Sequence, residues 1–152
     1  MQNLSHKNDI KFARRLHNEA ILDRDVNAIC SFLTTDYYVV TGKGVKSHGI
    51  EEQRKRWQVA FAQDPIMLYR RKTKKIYTRN SLKTAEEIGI WSGKYTTEQK
   101  AVALVAGVYA AKWQKQTNGL WLIQAEIFTT LRVFYQTQED VVIKSEKWTP
   151  QD

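Results

Sequence analysis

The chain is poor in cysteine and proline, with one Cys, at position 30, and two Pro among 152 residues. A single cysteine excludes an internal disulfide and any cysteine-rich metal site. Cys30 lies among apolar residues of a predicted helix, which reads as a buried, inert thiol. Three scattered histidines, with no acidic cluster at ligand spacing, give no ground for a metal site. No motif requires a cofactor. Gly42-Lys43-Gly44 is too short for a phosphate-cradling loop and lacks the Walker spacing, and no nucleophile-elbow sequence is present. No window approaches about 18 consecutive apolar residues, so no membrane-spanning helix is expected. The start, MQNLSHKNDIKFARRL, lacks the apolar core of a signal peptide, and the expected location is the cytoplasm.

Aromatic residues, in contrast, are plentiful: five Trp, seven Tyr and five Phe. They suffice either to fill a core or to line a cavity. The length fits one domain over 1–152, with a core at about 8–132 and a strand extension and polar tail at 133–152. A formal charge of +8 invites a nucleic-acid partner. The cations, however, are spread over Lys11 to Arg15, Arg54 to Arg56, Arg70 to Lys75 and Lys144 to Lys147, and no recognition motif accompanies them. Solubility and edge protection account for them, and nucleic acid is not an expected partner.

Residues 8–22 read as a helix with Ile10, Ala13, His17, Ala20 and Ile21 on its apolar stripe, Leu16 beside them, and Lys11, Arg14, Arg15 and Asn18 on the far side. Asp25 is placed to cap a second helix running through Leu33. A short strand at Tyr37 to Thr41 leads through a polar loop to a third helix at about 50–63, which turns Ile50, Trp57, Ala60 and Phe61 inward. Asp64-Pro65 ends it. Residues 66–78 are strand-like, and their run from Arg70 to Lys75 suits an exposed edge, where lysines deter edge-to-edge pairing. Thr84 to Thr96 forms another strand, with Glu87, Trp91 and Tyr95 on one face.

The most informative stretch is GVYAAKWQKQTNGLWLIQAEIFTTL, from Gly107 to Leu131. Asn118-Gly119 marks a tight turn between two runs of β-branched and aromatic residues. A three-residue loop, Thr117-Asn118-Gly119, would close Gln116 against Leu120 and set Trp113 opposite Ile123, Ala111 opposite Ala125 and Tyr109 opposite Ile127. Strict alternation then puts Tyr109, Trp113, Ile123, Ala125, Ile127 and Thr129 on an inner wall. Lys112, Gln124, Glu126 and Phe128 fall on an outer face suited to a partner.

With these motifs in place (Asp25 and its helix, TTDYYVV, GKGVKSHG leading to the Trp57 helix, AEEIGIWSG, and the long hairpin) the chain resembles the NTF2-like superfamily. Within it, the SnoaL-like and DUF4440 type of domain is the nearest in kind, over roughly residues 8–132. The resemblance implies an α+β cone: three N-terminal helices packed on a strongly bent, mostly antiparallel sheet, as in ketosteroid isomerase. It also implies a pocket between helices and sheet, and commonly a homodimer through the outer sheet face. It does not specify an activity. The isomerase's carboxylate base falls here on Thr41, or Val40 if the gap shifts, and its helix-one tyrosine donor falls on His17.

Two residues remain as candidate catalysts. His17, mid-stripe on the first helix, is either an acid or base for an isomerase or lyase, or a core histidine satisfied by a neighbouring hydroxyl. Glu87 is a base if its face is concave, and merely solvated if it lies near the strand end. The expected ligand-binding residues are Tyr37, Thr41, Trp57, Trp91, Tyr95, Tyr109, Trp113 and Ile127, which suit a small, mostly apolar molecule. The alternative is a non-catalytic association module. A cone filled solid with rings would favour the module; an open one would favour binding.

Overall fold

The computed structural model describes residues 2–63, 66–79, 83–96, 102–136 and 144–147. Its elements run α1 (Gln2–Leu22), α2 (Val26–Ser31), β1 (Leu33–Val40), β2 (Lys46–His48), α3 (Ile50–Phe61), β3 (Leu68–Arg79), β4 (Thr84–Thr96), β5 (Val102–Lys115), β6 (Trp121–Gln136) and β7 (Lys144–Lys147). The strands form one sheet in the order β2-β1-β6-β5-β4-β3, with β7 pairing β6. All pairings are antiparallel except β1 with β6. The layout is α+β, with α1 laid along the edge strand β3.

Local chemistry explains most boundaries. Asp25 caps α2 by accepting from the Ala28 amide at 3.0 Å, which satisfies one of the donors a helix start leaves unpaired. The hairpin between β5 and β6 closes as its turn residues require: the Gln116 amide donates to the Leu120 carbonyl at 2.7 Å, and Gly119 takes a φ of 86°. α1 begins at Gln2 rather than at residue 8, and His6 packs edge-on against Trp121 at 5.4 Å. The hairpin strand β2 was not expected from the sequence.

Arg14 corrects the reading of α1. Placed on the far side by its charge, it is 1% exposed. Ile10, Arg14, His17 and Ile21 follow one another at intervals of four, three and four, so all lie on the buried face of the helix. The position was apolar by geometry, and the guanidinium is tolerated only because acidic partners meet it there.

The hairpin register holds two further corrections, both caused by one β-bulge. Trp113 lies opposite Ile123 as expected, but Lys112 faces Ala125, which leaves Gln124 as an extra residue. One inserted residue swaps the faces of everything beyond it. Ala111 therefore pairs with Glu126 and Tyr109 with Phe128. Glu126 is 1% exposed on the inner face, whereas Ile127 is 52% exposed on the outer one. Glu126 and Phe128 consequently leave the proposed partner surface, and Ile127 leaves the expected ligand wall. A second bulge at Leu131 follows the pairing of Gly107 with Thr130. Glycine is required at 107: a Cβ there would stand 1.8 Å from the Thr129 carbonyl oxygen.

Candidate functional site

Two inner regions carry polar chemistry, a charged cluster and an open cone. The cluster forms where α1 crosses the sheet. Arg14 Nη2 donates to Glu87 Oε1 at 2.8 Å and to Glu126 Oε2 at 3.0 Å, and Nε reaches Glu87 Oε1 at 3.1 Å. Glu87 also accepts from Thr73 Oγ1 and Tyr109 OH, each at 2.6 Å, and from Trp113 Nε1 at 2.9 Å. Tyr37 OH donates to the other oxygen of Glu126 at 2.8 Å. Arg14 Cζ stands 5.2 Å from the centres of both the Tyr109 and Trp113 rings.

Every strong charge here is therefore met by an opposite charge and by hydrogen bonds, the condition under which ions survive burial. Burial alone would push the Glu87 carboxyl up, but Arg14, with the hydrogen bonds from Arg14, Thr73 and Tyr109, outweighs it and holds the group below its ordinary value. Burial raises the phenols of Tyr37 and Tyr109, and the neighbouring carboxylates Glu126 and Glu87 push the same way. His17 is 1% exposed and is kept neutral first by burial and then by Arg14 and Arg71. Arg14 Nη1 lies 3.3 Å from its Nδ1. A guanidinium only donates, so the neutral ring carries its proton on Nε2, which has no partner among the described residues. The neighbour that satisfies Nδ1 is thus an arginine rather than the expected hydroxyl. Glu87, read as solvated if near a strand end, is 0% exposed.

The cone lies beside this cluster, between α3, the 41–45 loop and the inner sheet face. Its volume is about 780 Å³. Five rings line it: Tyr37 from β1, Trp57 from α3, Tyr69 from β3, Trp91 from β4 and Phe128 from β6. The rings support one another. Trp57 stacks on Phe61 at 5.2 Å, Phe128 meets Trp91 edge-on at 5.9 Å, and Trp91 Nε1 donates to the Thr129 carbonyl at 3.2 Å. Val39, Val45, Val105, Val133, Ala60 and Met67 add to the apolar lining. Polar side chains interrupt this lining, among them Lys43, Arg56, Gln63 and Arg71. Gln53 Oε1 is buried without a partner, while Thr41 Oγ1 and Thr130 Oγ1 are engaged with the Val45 amide and the Gly42 carbonyl.

Of the expected ligand-binding residues, Tyr37, Thr41, Trp57 and Trp91 line the cone. Tyr109 and Trp113 are buried at the charged cluster instead, and Ile127 faces outward. The side chain of Tyr95 lies outside the described residues, though its backbone belongs to β4. His17 and Glu87 meet in the charged cluster through Arg14 and are not among the cone's lining residues. Sequence reasoning missed Tyr69, Arg71 and Phe128. For Arg71 the signal was present: Tyr69, Arg71 and Thr73 share one face by alternation, within a run read as wholly exposed. Phe128 was hidden by the bulge. No group of three His, Cys, Asp or Glu side chains stands at metal-binding distance among the described residues.

No protein-family model matches the chain. No curated protein sequence is significantly similar to it either. Solved structures are similar in fold. An NTF2-like superfamily protein from Salmonella enterica serovar Typhimurium superposes with a TM-score of 0.71 at 12% identity, covering 84% of this chain and 92% of that one. A ketosteroid isomerase-like protein from Erwinia carotovora gives 0.65 at 18% identity, covering 80% and 92%. A hexachlorocyclohexane dehydrochlorinase, LinA type 2, gives 0.74 at 12% identity, covering 97% and 95%. The fold of this chain is therefore the NTF2-like, ketosteroid isomerase-like α+β cone.

Proposed function

We propose that this protein binds a small, mostly apolar molecule in its cone. The observation that carries the reading is the open volume of about 780 Å³ framed by Tyr37, Trp57, Tyr69, Trp91 and Phe128. A pocket of this size, lined mainly by apolar and aromatic groups, suits small-molecule binding. An isomerase or lyase version would move a proton through His17, with Tyr37, Tyr109 or Glu87 assisting. The similar folds include a dehydrochlorinase and an isomerase-like protein, so the version is a natural one. Of those four residues, however, only Tyr37 lines the cone, and the binding version has the more direct support.

A neutral aromatic probe tests the reading. 2-Naphthamide should quench the fluorescence of Trp57 and Trp91 saturably and raise the melting temperature. Plugging the cone with Ala60→Trp should abolish both effects. Retention of binding by the plugged, folded variant would place the ligand elsewhere and overturn the proposal.

A second reading, association with a copy of itself through the outer sheet face, is favoured by a separate observation. Ile88, Ile90, Val108, Ile127 and Leu131 are all at least 38% exposed on β4, β5 and β6. Isolated apolar side chains on a surface are ordinary, whereas a contiguous set on one face marks an interaction site. Lys112 stands opposite Glu86 on that face, so a two-fold partner would meet both signs of charge. The two readings are compatible, since one uses the inside of the sheet and the other the outside.

A further inference from the structure

The cone contains one strongly cationic group whose donors are unmet. Arg71 is 8% exposed, yet its Nε and Nη1 are buried with no hydrogen-bond partner among the described residues. Its Cζ lies 5.0 Å from the Phe128 ring centre, 5.8 Å from Tyr69 and 5.9 Å from Trp57, so three rings of the cone surround it. Glu126, the carboxylate whose charge acts on Arg71, makes its hydrogen bonds to Arg14 and Tyr37 instead. Rings attract a cation by their faces but accept no N–H···O bond in its place. Buried donors without acceptors cost free energy.

The position of Arg71 is also held firmly. Asn18 of α1 clamps its backbone from both directions: Nδ2 donates to the Arg71 carbonyl at 2.7 Å, and Oδ1 accepts from the Arg71 amide at 3.0 Å. These bonds replace a neighbouring strand on the free edge of β3. The charge character of the cone agrees with the unmet donors. Among the described residues its lining includes Lys43, Arg56 and Arg71 but no Asp or Glu.

We infer that the ligand of the cone carries an anionic group, a carboxylate on an aromatic or similarly flat apolar body, which Arg71 receives while the rings of Trp57, Trp91 and Phe128 hold the body. The inference rests on the cone-binding reading and adds the ligand's chemical class to it. A carboxylate is acceptor-only, which matches donor-only Arg71 in both charge and hydrogen bonding. Gln53, with its unpartnered buried Oε1, offers an acceptor to a hydroxyl or amine elsewhere on the ligand.

Arg71 also borders a second depression of about 680 Å³ beside α1, whose lining includes Lys11, Arg15, Arg70 and Arg132. The experiment must therefore separate approach through the cone from approach along that basic surface. Isothermal titration compares 2-naphthoate with 2-naphthamide on the unaltered protein, then on Arg71→Met and on Ala60→Trp, with folding checked by circular dichroism. The acid should bind about tenfold or more tighter than the amide. Arg71→Met should erase that preference, and Ala60→Trp should remove both ligands. Equal affinity for acid and amide on the unaltered protein overturns the inference, whatever the variants do, and leaves cone binding standing. Acid binding that survives the plug overturns it in favour of the surface. Failure of both probes to bind the unaltered protein overturns the cone reading itself.

Discussion

His17 on α1 has its Nδ1 against a guanidinium and its Nε2 against no described partner, in a site from which water is excluded. A proton added there would face Arg14 and Arg71, so the folded protein keeps the ring neutral well below the ordinary value of 6.5. The unfolded chain, in contrast, takes up the proton from that value downward. Stability is thus present in full above pH 6.5 and is lost as pH falls below it, by up to about 1.4 kcal/mol per pH unit for this group. Urea titrations at intervals from pH 7.5 to 5 should show this slope, and His17→Gln should flatten it. Glu87 acts in a different window. Its folded value lies below the ordinary 4.5, so its share of stability persists above that pH and fades only under stronger acid. Equal slopes for the two proteins between pH 6.5 and 5 would mean that His17 is not held neutral.

The decisive element is β6, and within it the bulge at Gln124. Up to Ile123 the strand obeys simple alternation; beyond Gln124 the opposite set of residues points inward. That inversion delivers Glu126 to Arg14 and Tyr37, and Phe128 to Arg71 and the cone. The side chain of Gln124 contributes little, a single bond from Nε2 to Asp36 Oδ2 at 3.2 Å. What matters is that the bulge absorbs residue 124 and so keeps Glu126 opposite Ala111 on the inner face. Gln124→Ala should therefore cost no more than about 1 kcal/mol. Deleting residue 124 should keep cooperative unfolding, because Trp113–Ile123 and Lys112–Ala125 then become consecutive pairs and Glu126 still turns inward to Arg14 while Ile127 stays outside. Thermal melts followed by near-ultraviolet circular dichroism check both variants, and a deletion variant that loses its cooperative transition would refute the account of the bulge.

At the scale of the whole molecule the sheet separates two chemistries. Its inner face carries the charged cluster and the ring-lined cone, and its outer face carries the exposed apolar set at Ile88, Ile90, Val108, Ile127 and Leu131. No helix among the described residues is long and apolar enough to cross a membrane. If two copies associate through the outer face, Ile127→Glu places a charge at the centre of the contact, where desolvation disfavours it. Sedimentation or light scattering at tens of micromolar should then show a dimer for the parent and at least about a tenfold weaker association for the variant. A parent protein that stays monomeric at that concentration would remove the outer face from consideration as a self-association surface.

Much of this protein was legible in the chain, because short-range physics wrote it. The Asp25 cap, the Asn118-Gly119 turn, the strand at Thr84 to Thr96 and the basic edge strand all follow from capping, positive φ, alternation and charge. So do the inward positions of Tyr37, Trp57 and Trp91. What escaped was decided by contacts between elements far apart in sequence. Arg14 looked solvated because a charge on a helix normally is, and only Glu87 and Glu126, 73 and 112 residues away, make its burial tolerable. Arg71 looked like one more edge cation, and only the rings of Trp57, Tyr69 and Phe128 show it turned into the cone. The bulge at Gln124 has no marker residue at all. Local preference thus determined which elements form, and long-range packing decided which way β6 faces and hence what the cone is made of.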